Sequence, residues 1–285
     1  MSKNLILKRT FGKTGRKVTT VGLGGEGVLR TYGQEKAAVS VIEEGLALGL
    51  TYFDSARAYS GSEAYYGLVW PNRPQDRDRI FQTSKSAMRN KKDALADLER
   101  TLGHMGVDHL DLWQIHDVRT EDDIEVIGGP GGALEAFVEA KAAGKTHFIG
   151  VTGHHDPFVL ARAVNEWPVD AVLMPVNPVE AVLGGFLTIT LNAANEKGIA
   201  IIAMKVLGAS YYLSLQAGVT AQRLIRFALS QPITLAIVGC ASPEEVKTLA
   251  DAGRGFQPMS QADQNRLIDL FRPQAKRLAY YRGVF

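Results

Sequence analysis

Short apolar runs alternate with longer amphipathic stretches along the chain. The runs fall at 19–24 (TTVGLG), 51–55 (TYFDS), 80–85 (IFQTSK), 110–116 (LDLWQIH), 147–152 (HFIGVT), 171–176 (AVLMPV), 200–205 (AIIAMK) and 235–239 (LAIVG). Several are apolar at almost every position, as strands covered on both faces are. The stretches between them repeat apolar residues at helical spacing. Val39, Ile42 and Leu46 do so within 35–48, and Leu95, Leu98 and Leu102 within 93–105. Leu134, Phe137, Val138 and Lys141 are spaced similarly within 132–143, as are Leu224, Ile225 and Leu229 within 220–230. Gly49, Gly106, Gly144, Gly198 and Gly253 stand where these helices would end in a left-handed residue. Asp156-Pro157 reads as an N-cap followed by a first-turn proline, and Ser242-Pro243-Glu244-Glu245 as a capping box.

Eight strand–helix units predict parallel strands with right-handed crossovers, closed as a (β/α)8 TIM barrel. Residues 1–285 then form one domain, since such barrels commonly run to about 250 residues. The rival is a doubly wound open sheet, which calls for a glycine fingerprint after its first strand. GLGGEG at 22–27 lacks the G-x-G-x-x-G spacing. Two segments fall outside the repeat: residues 5–17 predict a small N-terminal hairpin across the barrel bottom, and 261–280 an extra C-terminal helix.

Composition narrows the function classes. Thirty-two basic against 30 acidic residues leave a formal charge of +2, no electrostatic footprint for nucleic acid or an anionic membrane. The single Cys240 rules out an internal disulfide framework and a cysteine-based zinc site. The apolar run Leu5–Leu7 is too short for a signal-peptide core, and 171–191 is broken by Pro175, Asn177, Pro178 and Glu180, so it cannot span a membrane. The expectation is a cytoplasmic protein in a reducing compartment, its oligomeric state open.

The active site of such a barrel lies at the C-terminal ends of its strands. The polar residues there are Asp54 with Tyr59 beyond it, Lys85, His116 followed by Asp117, Thr152 followed by Gly153, His154, His155 and Asp156, then Asn177, Lys205, and Gly239 with Cys240. The first four make an acid. A tyrosine hydroxyl donates poorly at neutral pH, a lysine beside it stabilises the phenolate, and a carboxylate holds the lysine charged. A histidine at the next strand end orients a carbonyl. An oxygen acid over a carbonyl suits reduction by hydride, which a nicotinamide must supply.

The chain resembles the aldo-keto reductase family nearly end to end. The segments that carry the resemblance are FGKTGRKVTTVGLGG, GLTYFDSARAYS with Asp54 and Tyr59 five positions apart, FQTSKS with Lys85, VDHLDLWQIHD with His116, and then KAAGKTHFIGVTGH, GIAIIAMKVLG and AIVGCASPEEV. The resemblance implies Tyr59 as general acid/base, Lys85 and Asp54 as its tuning pair, and His116 as the donor that orients the carbonyl of an aldehyde or ketone. It also implies NADP(H) or NAD(H) extended across the barrel top along Gly24, Gly25, Thr152, Gly153, Met204, Lys205, Val206, Leu207, Gly208, Gly239, Ala241, Ser242 and Glu245.

The departures from the family pattern fall in that cofactor set. Thr152-Gly153 stands where Ser-Asn often contacts the carboxamide, Leu173 replaces a common Gln, Met204 a stacking aromatic, and Lys205 a Ser near the pyrophosphate. The turn Gly239–Glu245 holds no base before Lys247, whereas NADPH-specific members often carry one there. The family favours NADPH and the local residues favour NADH. Glu245 reads equally as a ribose acceptor or as a capping residue, and Lys205 as a phosphate contact or a solvated side chain.

Two other functions stay open: a Schiff-base lyase using Lys85 or Lys205, and a non-catalytic NAD(P)-binding subunit. No metal is expected. His154-His155-Asp156 are neighbours on a turn, and Asp156 is wanted as a cap; His104, His109 and His147 read as structural. The acidic segment 117–131 disfavours an anionic substrate. Tyr211, Tyr212, Tyr280 and Tyr281 suit an aromatic or apolar wall.

Overall fold

The computed structural model describes residues 5–283. Strands β1 (Lys8–Thr10) and β2 (Lys17–Thr19) pair as an antiparallel hairpin. Eight further strands follow: β3 (Val21–Gly27), β4 (Tyr52–Phe53), β5 (Phe81–Ser86), β6 (Leu110–Ile115), β7 (Thr146–Thr152), β8 (Ala171–Pro175), β9 (Ala200–Met204) and β10 (Leu235–Cys240). They pair in parallel, in chain order, and β10 closes against β3. This is the expected (β/α)8 barrel; the hairpin sits two to three residues later than 5–17 suggests.

Alternation explains the barrel interior. Side chains of a strand point to opposite faces in turn. Ala171 and Leu173 of β8, Ala200 and Ile202 of β9, and Leu235 and Ile237 of β10 join one core cluster inside the barrel. Their neighbours Val172, Met174, Ile201, Ala203, Ala236 and Val238 join another, against the helices. Tyr52, Phe81 and Leu112 fill the lower interior on β4, β5 and β6. Phe11, from the hairpin turn, closes the bottom, its ring 4.6 Å from that of Phe81 and 6.2 Å from that of Tyr52. Gly12 lets this turn press on the barrel: its φ is +53°, and a Cβ there would lie 2.5 Å from the Ala200 nitrogen.

The helices Glu35–Leu48, Lys91–Met105, Ala133–Ala142 and Ala221–Leu229 match the predicted stretches. Two buried faces are rotated from the predicted ones. The first helix buries Ala38, Val41, Ile42 and Gly45 and leaves Val39 partly exposed; the third buries Ala133, Ala136, Phe137 and Ala140, and Val138 faces solvent. Alanine and glycine allow close approach to the barrel, so small residues took positions that hydrophobicity alone awards to valine. Gly49, Gly106 and Gly198 end helices in the left-handed conformation as expected, and Gly144 is left-handed one residue past its cap. Gly253 does not: it lies inside Pro243–Arg254, where a Cβ would meet Val21 and Ile6. The single helix expected over 261–280 breaks after Gln261–Phe271, because Pro273 cannot continue it. The chain then turns through Ala275–Leu278 and Tyr280–Arg282 to the barrel top. There Tyr281 and Arg282 bond the buried Glu180. No described helix is long and apolar enough to cross a membrane.

Phe11→Ala should lower unfolding free energy by about 3–5 kcal/mol, because the plug of the barrel bottom is lost. Equilibrium urea denaturation measures it.

Candidate active site

The parity that sends Tyr52, Phe81 and Leu112 inward also sends Asp54, Lys85 and His116 inward, one or two pleats higher. The interior thus changes from apolar to ionic as it rises. Lys85 is fully buried and Asp54 is 1% exposed. Lys85 Nζ donates to Asp54 Oδ2 at 2.6 Å and to the Ser55 carbonyl at 2.7 Å. Thr83 Oγ1 donates to Asp54 Oδ1 at 2.8 Å. Every polar atom of the pair is engaged, so Lys85 is not placed to serve as an amine nucleophile.

Tyr59 lies over this pair. Its ring centroid is 4.8 Å from Lys85 Nζ, and the His116 ring stands edge-on to it at 5.7 Å and 88°. Gly25 permits the ring's position, since a Cβ there would lie 2.7 Å from it. One expectation fails. Burial pushes the Tyr59 phenol well above its usual range, and the charges of Asp54 and Glu26 add to this; Arg30 opposes them. The Lys85 ammonium, held by Asp54 and the Ser55 carbonyl, does not overcome that burial. Burial likewise lowers Lys85, with Asp54 opposing. His116 is pushed down to about 3 by burial and then by the Lys85 charge, so its ring is neutral at physiological pH. Its Nδ1 is buried without a hydrogen-bond partner among the described residues.

Beside Tyr59 opens a cleft of about 520 Å³, within the range of cofactor sites. Gly24, Gly25, Met204, Lys205, Val206, Leu207, Gly208, Gly239, Ala241 and Glu245 line it, as do Asp54 and Tyr59. Lys205, Gly208, Ala209 and Ser210 all have positive φ. Backbone N–H groups in such a run form a concavity suited to an anion. A cleft of this volume and a loop whose backbone suits an anion fit a nicotinamide dinucleotide.

Three of the predicted cofactor residues lie elsewhere. Thr152 is buried, its Oγ1 accepting the Asp117 N–H at 2.9 Å. Gly153 packs so tightly that a Cβ would lie 2.8 Å from the Val118 carbonyl oxygen. Ser242 is the N-cap of Pro243–Arg254, its Oγ accepting the Glu245 N–H at 3.4 Å. Glu245 departs from a reciprocal capping box: Oε2 accepts the Ala241 N–H, at 2.7 Å, instead of that of Ser242. It therefore caps and lines the cleft at once.

Arg30 and Glu26 line the cleft too, paired at 2.7 Å, with the Arg30 Cζ 5.3 Å from the Tyr59 ring centroid. No motif marked them; their signal is the i,i+4 charge pair. Tyr211 and Tyr280 line the mouth, but Tyr212 and Tyr281 turn away, bonded to the Leu278 carbonyl and Glu180. The acidic segment is largely neutralised: Asp117 pairs with Arg119, Asp123 with Arg89, and Glu121 and Glu125 with Arg162. It gives no ground for excluding an anionic substrate.

A family model described as "Aldo/keto reductase family" matches residues 20–218, and the chain belongs to that family. The aldo-keto reductase yakc [NADP(+)] of Schizosaccharomyces pombe is 28% identical over 210 residues, 68% of this chain and 59% of that one. L-galactose dehydrogenase of Arabidopsis thaliana is 29% identical over 156 residues, 51% of this chain and 48% of that one. The chain thus spans about half the length of the curated relatives it matches. Among solved structures, the holo form of an aldo-keto reductase from Bacillus halodurans superposes with a TM-score of 0.77 at 18% identity, covering 93% of this chain and 96% of that one. An aldo/keto reductase from Klebsiella pneumoniae in complex with NADP and acetate gives 0.74 at 22% identity, over 92% and 94%. These show the same fold.

Cys240 is 1% exposed, and burial followed by the Glu245 charge pushes its thiol up to about 12. A thiol-reactive dye at pH 8 should therefore leave the native protein unlabelled and label one equivalent after denaturation.

Proposed function

We propose that the protein interconverts an aldehyde or ketone and an alcohol with NADP(H) or NAD(H), Tyr59 exchanging the proton. The observation that carries this reading is the buried Asp54–Lys85 pair beneath Tyr59, with neutral His116 edge-on to the ring, at the wall of a dinucleotide-sized cleft. The NADP held by the Klebsiella pneumoniae relative supports the cofactor class.

The residues divide the work by charge. His116, neutral, can donate one N–H to a carbonyl oxygen without bringing a proton that titrates near neutrality. Tyr59 stays protonated at neutral pH because burial disfavours its anion. An alkoxide is far more basic than a phenolate, so the phenol gives up its proton as that charge develops. Lys85 supplies a fixed positive charge 4.8 Å from the ring that receives the negative charge. Asp54 and the Ser55 carbonyl keep the ammonium from following it. When bound, a reduced nicotinamide supplies the hydride that no side chain can. Tyr211 and Tyr280, with ring centroids 5.7 Å apart, offer a substrate an aromatic wall at the mouth.

Tyr59→Phe should lower kcat for carbonyl reduction about 10²–10⁴-fold with cofactor affinity unchanged, since only the transferable proton is lost. Full turnover in the variant, or failure of the wild type to bind either dinucleotide in a fluorescence titration, contradicts the proposal. Glu245 is the residue to which we assign the choice of dinucleotide, because its carboxylate already holds the Ala241 N–H that a 2′-phosphate would seek. Glu245→Arg should shift the NADPH-to-NADH affinity ratio toward NADPH by about ten-fold or more.

A further inference from the structure

The loops after β6 and β7 bring together three side chains that the proposed reaction does not use. His154 and His155 do not meet Asp156, whose Oδ1 caps the next helix by accepting the Phe158 and Val159 N–H groups. They meet Asp117 instead. Its Oδ1 lies 3.2 Å from His154 Nε2 and 3.4 Å from His155 Nε2, and one ligand-type atom from each of the three lies within 4.8 Å of the others.

The hydrogen bonds of the two rings fix what they present. His154 Nδ1 lies 2.7 Å from the Tyr281 carbonyl oxygen, and His155 Nδ1 lies 3.0 Å from that of Arg282. A carbonyl only accepts, so each Nδ1 carries the hydrogen. In the neutral ring each Nε2 is then a bare lone pair, and both are aimed at one carboxylate oxygen. Asp117 Oδ1 and His155 Nε2 are buried with no hydrogen-bond partner among the described residues. The other carboxylate oxygen is already held by Arg119, at 2.8 Å from Nε. A proton on one ring would satisfy one contact and leave the second lone pair facing the same oxygen. One divalent cation satisfies all three atoms.

Two of the three ligand–ligand distances match such a site, and the third lies within 4.8 Å. Bonds of about 2.0–2.1 Å in a tetrahedral site place ligand atoms about 3.3 Å apart, against the 3.2 and 3.4 Å seen here. A metal-binding histidine commonly donates its other N–H to a backbone carbonyl, as both do here. Asp117 is held in place by its backbone, at φ +60°, with its N–H on Thr152 Oγ1 and its carbonyl accepting from Arg89. The second histidine–carboxylate group, His109, Asp111 and His147, is built differently: Arg77 and Arg16 occupy both oxygens of Asp111.

We propose that Asp117, His154 and His155 form a site for one divalent transition cation of the zinc class, joining the β6 and β7 loops beneath the C-terminal segment. Imidazole and carboxylate ligands suit such ions.

The test uses the chelator-stripped 285-residue chain, titrated with Co2+ and followed by visible absorption, with Zn2+ as competitor. The wild type should take up one equivalent with the spectrum of a histidine-ligated ion, and Zn2+ should displace it. His154→Ala and His155→Ala should each weaken binding at least ten-fold, and His109→Ala should not. Both alanine variants also remove a contact to the C-terminal segment. Asp117→Asn, of nearly the same shape, serves as the second variant: Zn2+ should raise the melting temperature of the wild type and not of Asp117→Asn. Absence of saturable uptake in the wild type, or uptake equal in the His154, His155 and Asp117 variants, overturns the proposal.

Discussion

The upper half of the barrel is organised around two buried charges. Asp54 and Lys85 sit inside a ring of strands whose lower interior is aromatic and aliphatic. Burying a lone carboxylate or ammonium costs several kcal/mol, and attraction offsets this only when the remaining polar atoms are also bonded. Here Thr83 and the Ser55 carbonyl complete the set. Loss of either partner would strand the other charge, so the positions of β4 and β5 relative to each other are tightly specified.

The neighbouring features follow from that pair. A fixed ammonium calls for a cover, and Tyr59 supplies one that can become negative. Gly25 is small because the Tyr59 ring needs its space. The same burial that isolates Lys85 from water drives His116 neutral, with the ammonium adding to it. On the far side, Glu180, Tyr281, Arg282 and Asn177 pin the C-terminal segment across the barrel top. The segment thereby gives His154 and His155 their carbonyl acceptors. Stability and chemistry share these contacts, and the tail is part of the upper face.

The sequence carried the barrel plainly, because eight short apolar runs alternating with amphipathic stretches survive without tertiary knowledge. It brought out Asp54, Tyr59, Lys85 and His116 as candidates through their motifs and strand-end positions, and the fold places the four side by side. It misplaced two helix faces, where alanine does the packing and propensity scales see little. It left the direction of the Tyr59 shift wrong, since the burial that outweighs a neighbouring ammonium is set by the fold and not by residue type. The meeting of Asp117 with His154 and His155 joins two loops about 37 positions apart, a separation that no local pattern encodes. Glu245 shows the intermediate case: both of its readings were legible, and the geometry combines them.

The proposed reaction passes hydride directly between a nicotinamide and a carbonyl in the cleft, with the proton routed through Tyr59. The most direct measurement uses a dinucleotide deuterated at the transferring carbon, with an aromatic aldehyde as acceptor, and mass analysis of the alcohol. One deuterium is expected on the carbinol carbon, at a rate that collapses when Tyr59 is replaced by phenylalanine. Alcohol without deuterium, or labelling at an equal rate in the variant, would contradict the proposed reaction.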